Sequence, residues 1–305
     1  MPRSRPSKST AARVTRSLLE RSPIPSPSGD DDKDERGKVL VVGGEVSLPG
    51  AVVLAGIAAL RAGAGKLQIA TCRSIAPMVG VSVPESLALG LDEMESGIIS
   101  ARSASTLTPF LDSTNALLLG PGMKGENEEK QFVSSVLSIS FNAPVVLDAG
   151  ALYVLEDDPR ALHRFGGNAI VTPHAKEMAR ILRIDARTIA PHAERIALEA
   201  AKGLNTVVAL KGSQTFIATP DGKLFRYDSG DVGLATSGSG DTLAGVVAGL
   251  LARGASVLDA TLWAVFLHGS AGNRLARRIG RIGYLARELL DEIPQVMRAN
   301  SERRR

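Results

Sequence analysis

The chain of 305 residues has one cysteine, Cys72. That count excludes an intrachain disulfide and any zinc site built on thiolates, and leaves Cys72 as a small packing residue. Aromatic residues make up only 4% of the chain, while Gly, Ala, Val and Leu dominate. Such small apolar residues suit helices packed tightly on a sheet better than a β-sandwich. No apolar run approaches the ~20 residues a membrane-spanning helix requires, so a soluble, cytoplasmic protein is expected. A basic stripe interleaved with aromatics is also missing. Much of the basic excess behind the net charge of +4 collects at the ends, in Arg3, Arg5, Lys8, Arg13, Arg16 and Arg21, then Arg303, Arg304 and Arg305. Nucleic acid is therefore not an expected partner. No period of 20–50 residues recurs, which excludes a solenoid.

What is present divides into a tail and a folded body. Residues 1–36 are rich in Ser, Pro and Arg, end in an acidic cluster and have no apolar signal-peptide core. A disordered N-terminal tail is expected there, with an organelle transit peptide as the alternative. Residues 37–298 read as one α/β domain, and 299–305 as a basic C-terminal tail. Buried strands are expected at Lys38–Val42, Leu67–Thr71, Asn115–Leu119, Val145–Leu147 and Ala169–Val171. Helices follow several of them, giving βαβ units and a mostly parallel sheet. The segment from Arg73 to Phe110 is broken by Pro77, Pro84 and glycines and carries no assigned site. The string GAGK at Gly63–Lys66 is not a phosphate loop, because Leu60 and Leu67 stand where glycine and Ser or Thr are needed.

The stretch from Gly233 to Gly254 concentrates the chemistry. A Gly- and Ser-rich turn, with Gly238, Ser239 and Gly240, runs directly into an apolar helix. The first N–H groups of a helix lack intrahelical partners and carry partial positive charge, so a phosphate is stabilised there. Asp241 at the same mouth has three roles open to it: helix cap, metal ligand, or acceptor of a proton from an attacking hydroxyl. For an isolated Gly-Asp turn, capping is the plainer reading. Gly122, Asp148, His174 and Lys211 each follow a buried strand, and in a doubly wound sheet such ends share one rim. Taken singly, Asp148 reads as a cap and Lys211 equally as a phosphate contact or a solvent-facing lysine, while His174, at a strand end beside Pro173, is the histidine singled out for the site, with a structural role left open. His268, on an apolar helix face, reads as packed.

The motifs LPGAVVLAGIAALRAGAG, LLLGPGM, VVLDAGAL, VTPHAKEM, VALKGSQT and SGSGDTLAG, in that order, resemble those of the NAD(P)H-hydrate dehydratases of the ribokinase-like superfamily. The resemblance spans roughly Lys38 to Met297. It implies a ribokinase-like three-layer α/β/α sandwich, ADP or ATP as co-substrate with Mg2+ assisting, and repair of the S epimer of NADHX or NADPHX to NADH or NADPH. ADP is the expected nucleotide and a homotetramer the expected assembly. Residue by residue, it places Ala51, Gly122, His174 and Asp241 at the hydrated dinucleotide, with Asp241 as the catalytic base. Lys211, Gly212, Ser213, Gln214 and Thr215, with Gly238, Ser239 and Gly240, fall at the adenine nucleotide. No metal-binding residue is assigned. Gly150 and Tyr153 depart from the family pattern after Asp148. The rival functions are a ribokinase-like kinase of a vitamin precursor and an idle nucleotide-binding regulator.

Overall fold

A computed structural model describes residues 11–25 and 33–302. The chain forms strand β1 (Ala12–Arg13), helix α1 (Arg16–Leu19), β2 (Lys38–Val42), α2 (Gly50–Arg61), β3 (Lys66–Cys72), α3 (Ala76–Ser82) and β4 (Ser86–Leu91). Next come α4 (Thr108–Leu111), β5 (Ala116–Leu119), α5 (Asn127–Ser138), β6 (Val145–Leu147), α6 (Val154–Asp157), β7 (Ala169–Val171) and α7 (Ala175–Leu182). The last third contributes α8 (Ala193–Leu204), β8 (Val207–Leu210), β9 (Thr215–Ala218), β10 (Leu224–Tyr227), α9 (Ser239–Ala252), α10 (Val257–Arg278) and α11 (Ala286–Glu302). The strands join in one sheet in the order β1-β10-β9-β8-β7-β6-β5-β2-β3-β4. Pairing is parallel except at β8–β9 and β9–β10.

The sheet is apolar on both faces, as a parallel sheet covered by helices must be. Along β2, Val39 and Val41 face one core, while Leu40 and Val42 face the other. The first core is closed by α2, α9, α10 and α11, and the second by α4, α5, α7 and α8. This is the three-layer α/β/α sandwich expected from the sequence.

Helices α2 and α9 meet along a seam of small residues. A Cβ on Gly245 would lie 2.1 Å from the Ala55 carbonyl oxygen, and one on Gly249 would lie 2.4 Å from that of Ala59. Only glycine admits this approach, which brings the starts of the two helices together at the carboxyl rim of the sheet.

Two boundaries differ from the sequence reading. Residues 11–25, placed by composition in a disordered tail, join the fold. Strand β1 pairs with β10, Val14 and Leu19 are buried, and the Trp263 indole N–H donates to the Ser22 carbonyl at 2.7 Å. A few apolar anchors outweigh the polar composition because the β10 edge supplies ready backbone partners. Residues 1–10 and 26–32 of that tail lie outside the described residues, and α11 continues to Glu302, past the expected boundary at 298. The segment Arg73–Phe110, weak in sequence signals, contains α3 and β4.

Candidate active site

The site assembles where strand ends and helix starts meet. Helix α9 opens at Gly238, whose φ of 86° is left-handed and whose position makes no side-chain cap. Asp241 is therefore the third helical residue rather than the cap, which removes the plainer reading of this carboxylate. Burial, with the Asp148 carboxylate adding to it, pushes the Asp241 carboxyl up to about 7.

Asp148, at the end of β6, is 2% exposed and also makes no cap. Its Oδ1 accepts from Lys211 Nζ at 2.8 Å and from Thr172 Oγ1 at 2.6 Å. Lys211 follows β8, where its N–H donates to the Pro173 carbonyl, and its side chain is 19% exposed. Burial works against its charge, but the Asp148 and Glu177 carboxylates hold the ammonium above the ordinary lysine value. Lys211 is thus neither a free surface lysine nor a free phosphate ligand, since one of its donors already serves Asp148. A Cβ on Gly240 would lie 3.3 Å from Lys211 Nζ and 3.9 Å from Asp148 Oδ2, which fixes this ion pair beside the α9 start.

His174 caps α7. Its Nδ1 accepts from the Glu177 N–H at 3.1 Å, while Glu177 Oε2 accepts from the His174 N–H at 2.7 Å. With Nδ1 an acceptor, a neutral ring carries its proton on Nε2, and the half-exposed side chain is available to a ligand.

A cavity of about 700 Å³ lies beside these groups, within the size range of small-molecule sites. Of the expected nucleotide residues, Lys211, Gly212, Ser213, Thr215, Ser239 and Gly240 line it, as does His174. Gln214 and Gly238 do not; Gln214 is exposed on the β8–β9 turn, and Gly238 meets Leu54 of α2. Ala51 and Gly122 stand outside this cavity but close to each other. A Cβ on Gly122 would lie 3.1 Å from that of Ala51. They pack together at the α2 start, which reaches the α9 start through the Leu54–Gly238 contact.

Sequence reasoning missed several cavity residues. His268 of α10 lines the cavity, and its Nε2 lies 2.9 Å from Ser239 Oγ; burial pushes its imidazole down to about 4. Its apolar neighbours concealed it. Tyr227, Leu243 and Val265 add an apolar wall, and Asp231 and Arg281 pair at 3.1 Å on its rim. These residues come from elements distant in sequence, so no local spacing marks them.

Among the described residues, no group of three His, Cys, Asp or Glu side chains stands close enough to cage a metal. The arrangement fits Mg2+ carried on nucleotide phosphates, which needs only one or two protein carboxylates and keeps several waters. Asp241 and the second oxygen of Asp148, beside Gly240, would be the carboxylate groups to hold it.

A three-layer α/β/α sheet with a helix start that has no side-chain cap, a half-buried carboxyl in its first turn and an adjoining cavity defines a ribokinase-like, phosphate-handling enzyme. Comparison with known proteins narrows the class: the chain belongs to the NAD(P)H-hydrate dehydratase family, which it matches over residues 39–295. It is 45% identical over 284 residues to an ADP-dependent (S)-NAD(P)H-hydrate dehydratase of Xanthomonas campestris, covering 93% of this chain and 95% of the relative. An enzyme of the same name from Bacillus subtilis is 33% identical over 276 residues, covering 90% and 94% of the two chains. The crystal structure of an ADP/ATP-dependent NAD(P)H-hydrate dehydratase from Bacillus subtilis, co-crystallized with ATP/Mg2+, superposes with a TM-score of 0.81 at 29% identity. That superposition covers 95% of this chain and 99% of the other.

Proposed function

We propose that this protein is a carbon–oxygen lyase that uses ADP, or ATP, with Mg2+ to dehydrate the S epimer of NADHX or NADPHX, restoring NADH or NADPH. The observation that carries the site assignment is the placement of Asp241. It lies in the first turn of α9, with the cavity bordered by Ser239 and Gly240 on one side and the Ala51–Gly122 junction reached through Gly238 and Leu54 on the other. A nucleotide in the cavity and a hydrated dinucleotide against that junction would meet at this carboxyl.

Asp241 accepts the proton of the hydrate's ring hydroxyl as that oxygen forms a bond to the terminal phosphorus, and the bond from phosphorus to the departing nucleotide oxygen breaks. The Gly238–Gly240 turn and the positive end of the α9 dipole stabilise charge growing on the phosphoryl oxygens. Mg2+ neutralises phosphate charge when bound. Lys211, steered by Asp148, adds a fixed positive charge beside Gly240. In the second stage the ring nitrogen's electron pair expels phosphate by breaking the carbon–oxygen bond. The neighbouring ring carbon then loses a proton, and the double bond returns. His174 offers its Nε2–H to the dinucleotide, and Ala51 and Gly122 let it approach the backbone.

The test incubates the protein with hydrated NADPH and ADP or ATP and follows the return of reduced-nicotinamide absorbance. No recovery with either nucleotide defeats the proposal. Asp241→Asn is expected to abolish turnover while leaving nucleotide binding near wild type. A single catalytic domain, a cytoplasmic location and a homotetramer belong to the same proposal. Among the described residues no helix is long and apolar enough to cross a membrane. Light scattering on the purified protein tests the tetramer.

A further inference from the structure

We infer that Glu45 is a positioning residue for the hydrated-dinucleotide site at Ala51 and Gly122: its buried carboxylate holds the loop carrying Gly122 against the loop that leads to Ala51. Neither the motifs nor the reaction outlined above gives this group a task. Glu45 follows β2 and is 2% exposed, a placement that a carboxylate tolerates only when its oxygens are satisfied. They are. Oε1 accepts from the Lys124 N–H at 3.0 Å, and Oε2 accepts from Ser47 Oγ at 3.2 Å and pairs with Lys124 Nζ. Lys124 Nζ lies 3.2 Å from Ser47 Oγ, so three polar groups close a ring around one carboxylate.

The backbone continues the stitch. The Gly44 N–H donates to the Pro121 carbonyl at 2.7 Å and the Glu45 N–H to that of Gly122 at 3.3 Å. The Leu48 N–H in turn donates to the Glu45 carbonyl at 2.9 Å. A Cβ on Gly122 would lie 2.8 Å from the Leu48 carbonyl oxygen and 3.1 Å from the Ala51 Cβ, so the loops touch at these two residues. Below them, Glu129 collects the N–H groups of Gly125 and Glu126 at 2.7 and 3.0 Å, anchoring the far end of the same loop. Removing the Glu45 carboxylate leaves the Lys124 N–H shared only with Glu129 at 3.2 Å and frees the 121–124 loop to move away from α2. The nucleotide cavity has no residue in this network. The effect is therefore confined to one substrate.

This inference rests on the reading of Ala51 and Gly122 as contacts of the hydrated dinucleotide. Wild type, Glu45→Ala and Glu45→Gln are assayed for KM against hydrated NADPH and, separately, against ADP, with thermal unfolding recorded. Loss of a charge-assisted hydrogen bond at this junction corresponds to a KM for hydrated NADPH raised about tenfold in Glu45→Ala. KM for ADP is expected to stay within about twofold of wild type, with Glu45→Gln intermediate because its amide oxygen still accepts from Lys124. If Glu45→Ala does not fold, Lys124→Met carries the test, with the same split between the two KM values. An unchanged KM for hydrated NADPH, or equal rises in both KM values, overturns the inference while wild type stays active. Inactive wild type instead overturns the reading beneath it.

Discussion

Replacing Asp241 by asparagine should stabilise the protein while inactivating it, and the gain should depend on pH. The Asp241 carboxyl is pushed from 3.8 to about 7, mainly by burial and then by the Asp148 carboxylate. The folded state therefore holds this proton across a window in which the unfolded chain has released it. Because the folded value is the higher one, the contribution to stability is fully present below pH 3.8 and is lost as pH rises through 7. Asparagine has no such loss. At about 1.4 kcal/mol per pH unit, the variant should gain roughly 3 kcal/mol on wild type between pH 4.5 and pH 8. In a chain of this size that is about 6 °C in Tm. Differential scanning calorimetry of both proteins at the two pH values, with turnover measured in parallel, is the assay. A Tm difference that is the same at both pH values refutes the reasoning, because it would mean that Asp241 ionises in the folded protein as easily as in the unfolded chain.

The same carboxyl should set the acid limb of the rate profile. kcat/KM should fall about tenfold per pH unit below roughly pH 7, and a profile flat down to pH 5.5 would remove Asp241 as the base. Gly245→Ala places a methyl group against the Ala55 carbonyl oxygen and should cost about 1–3 kcal/mol, read as a lower midpoint in urea unfolding. Cys72 is fully buried, and burial pushes its thiol up to about 12, so an aromatic disulfide reagent should label it only as fast as the protein unfolds.

Much of the scaffold is legible in the sequence because parallel strands are short, doubly buried and bounded by turn residues. Val145–Leu147 and Ala169–Val171 are found where apolar runs between polar or Gly/Pro punctuation place them. The edge strand β4 is harder to read, since Ser86–Leu91 has only one fully buried residue, Leu91, and no strong alternation. Strand β1 is hidden for the same reason, its two residues being held by backbone bonds to β10 rather than by composition. Within the site, the residues on strand ends were visible as a set, whereas their partners were not. Lys211 and Asp148 are 63 positions apart and Ser239 and His268 are 29 apart, and only the sheet order and the α9–α10 packing join them. His174 carries both meanings at once, since the ring that caps α7 through one nitrogen leaves the other for a ligand.

The seam between α2 and α9 also sets a mechanical tolerance. Where side chains separate two helices, rotamer changes can absorb a displacement of an ångström. Here Gly245 and Gly249 place backbone almost directly on the carbonyls of Ala55 and Ala59, and no such cushion exists. The offset between the first turns of the two helices is consequently a fixed gauge length. Adjustment to ligands of different size falls instead to side chains and loops on the far side of the cavity, such as that around Asp231, outside this joint.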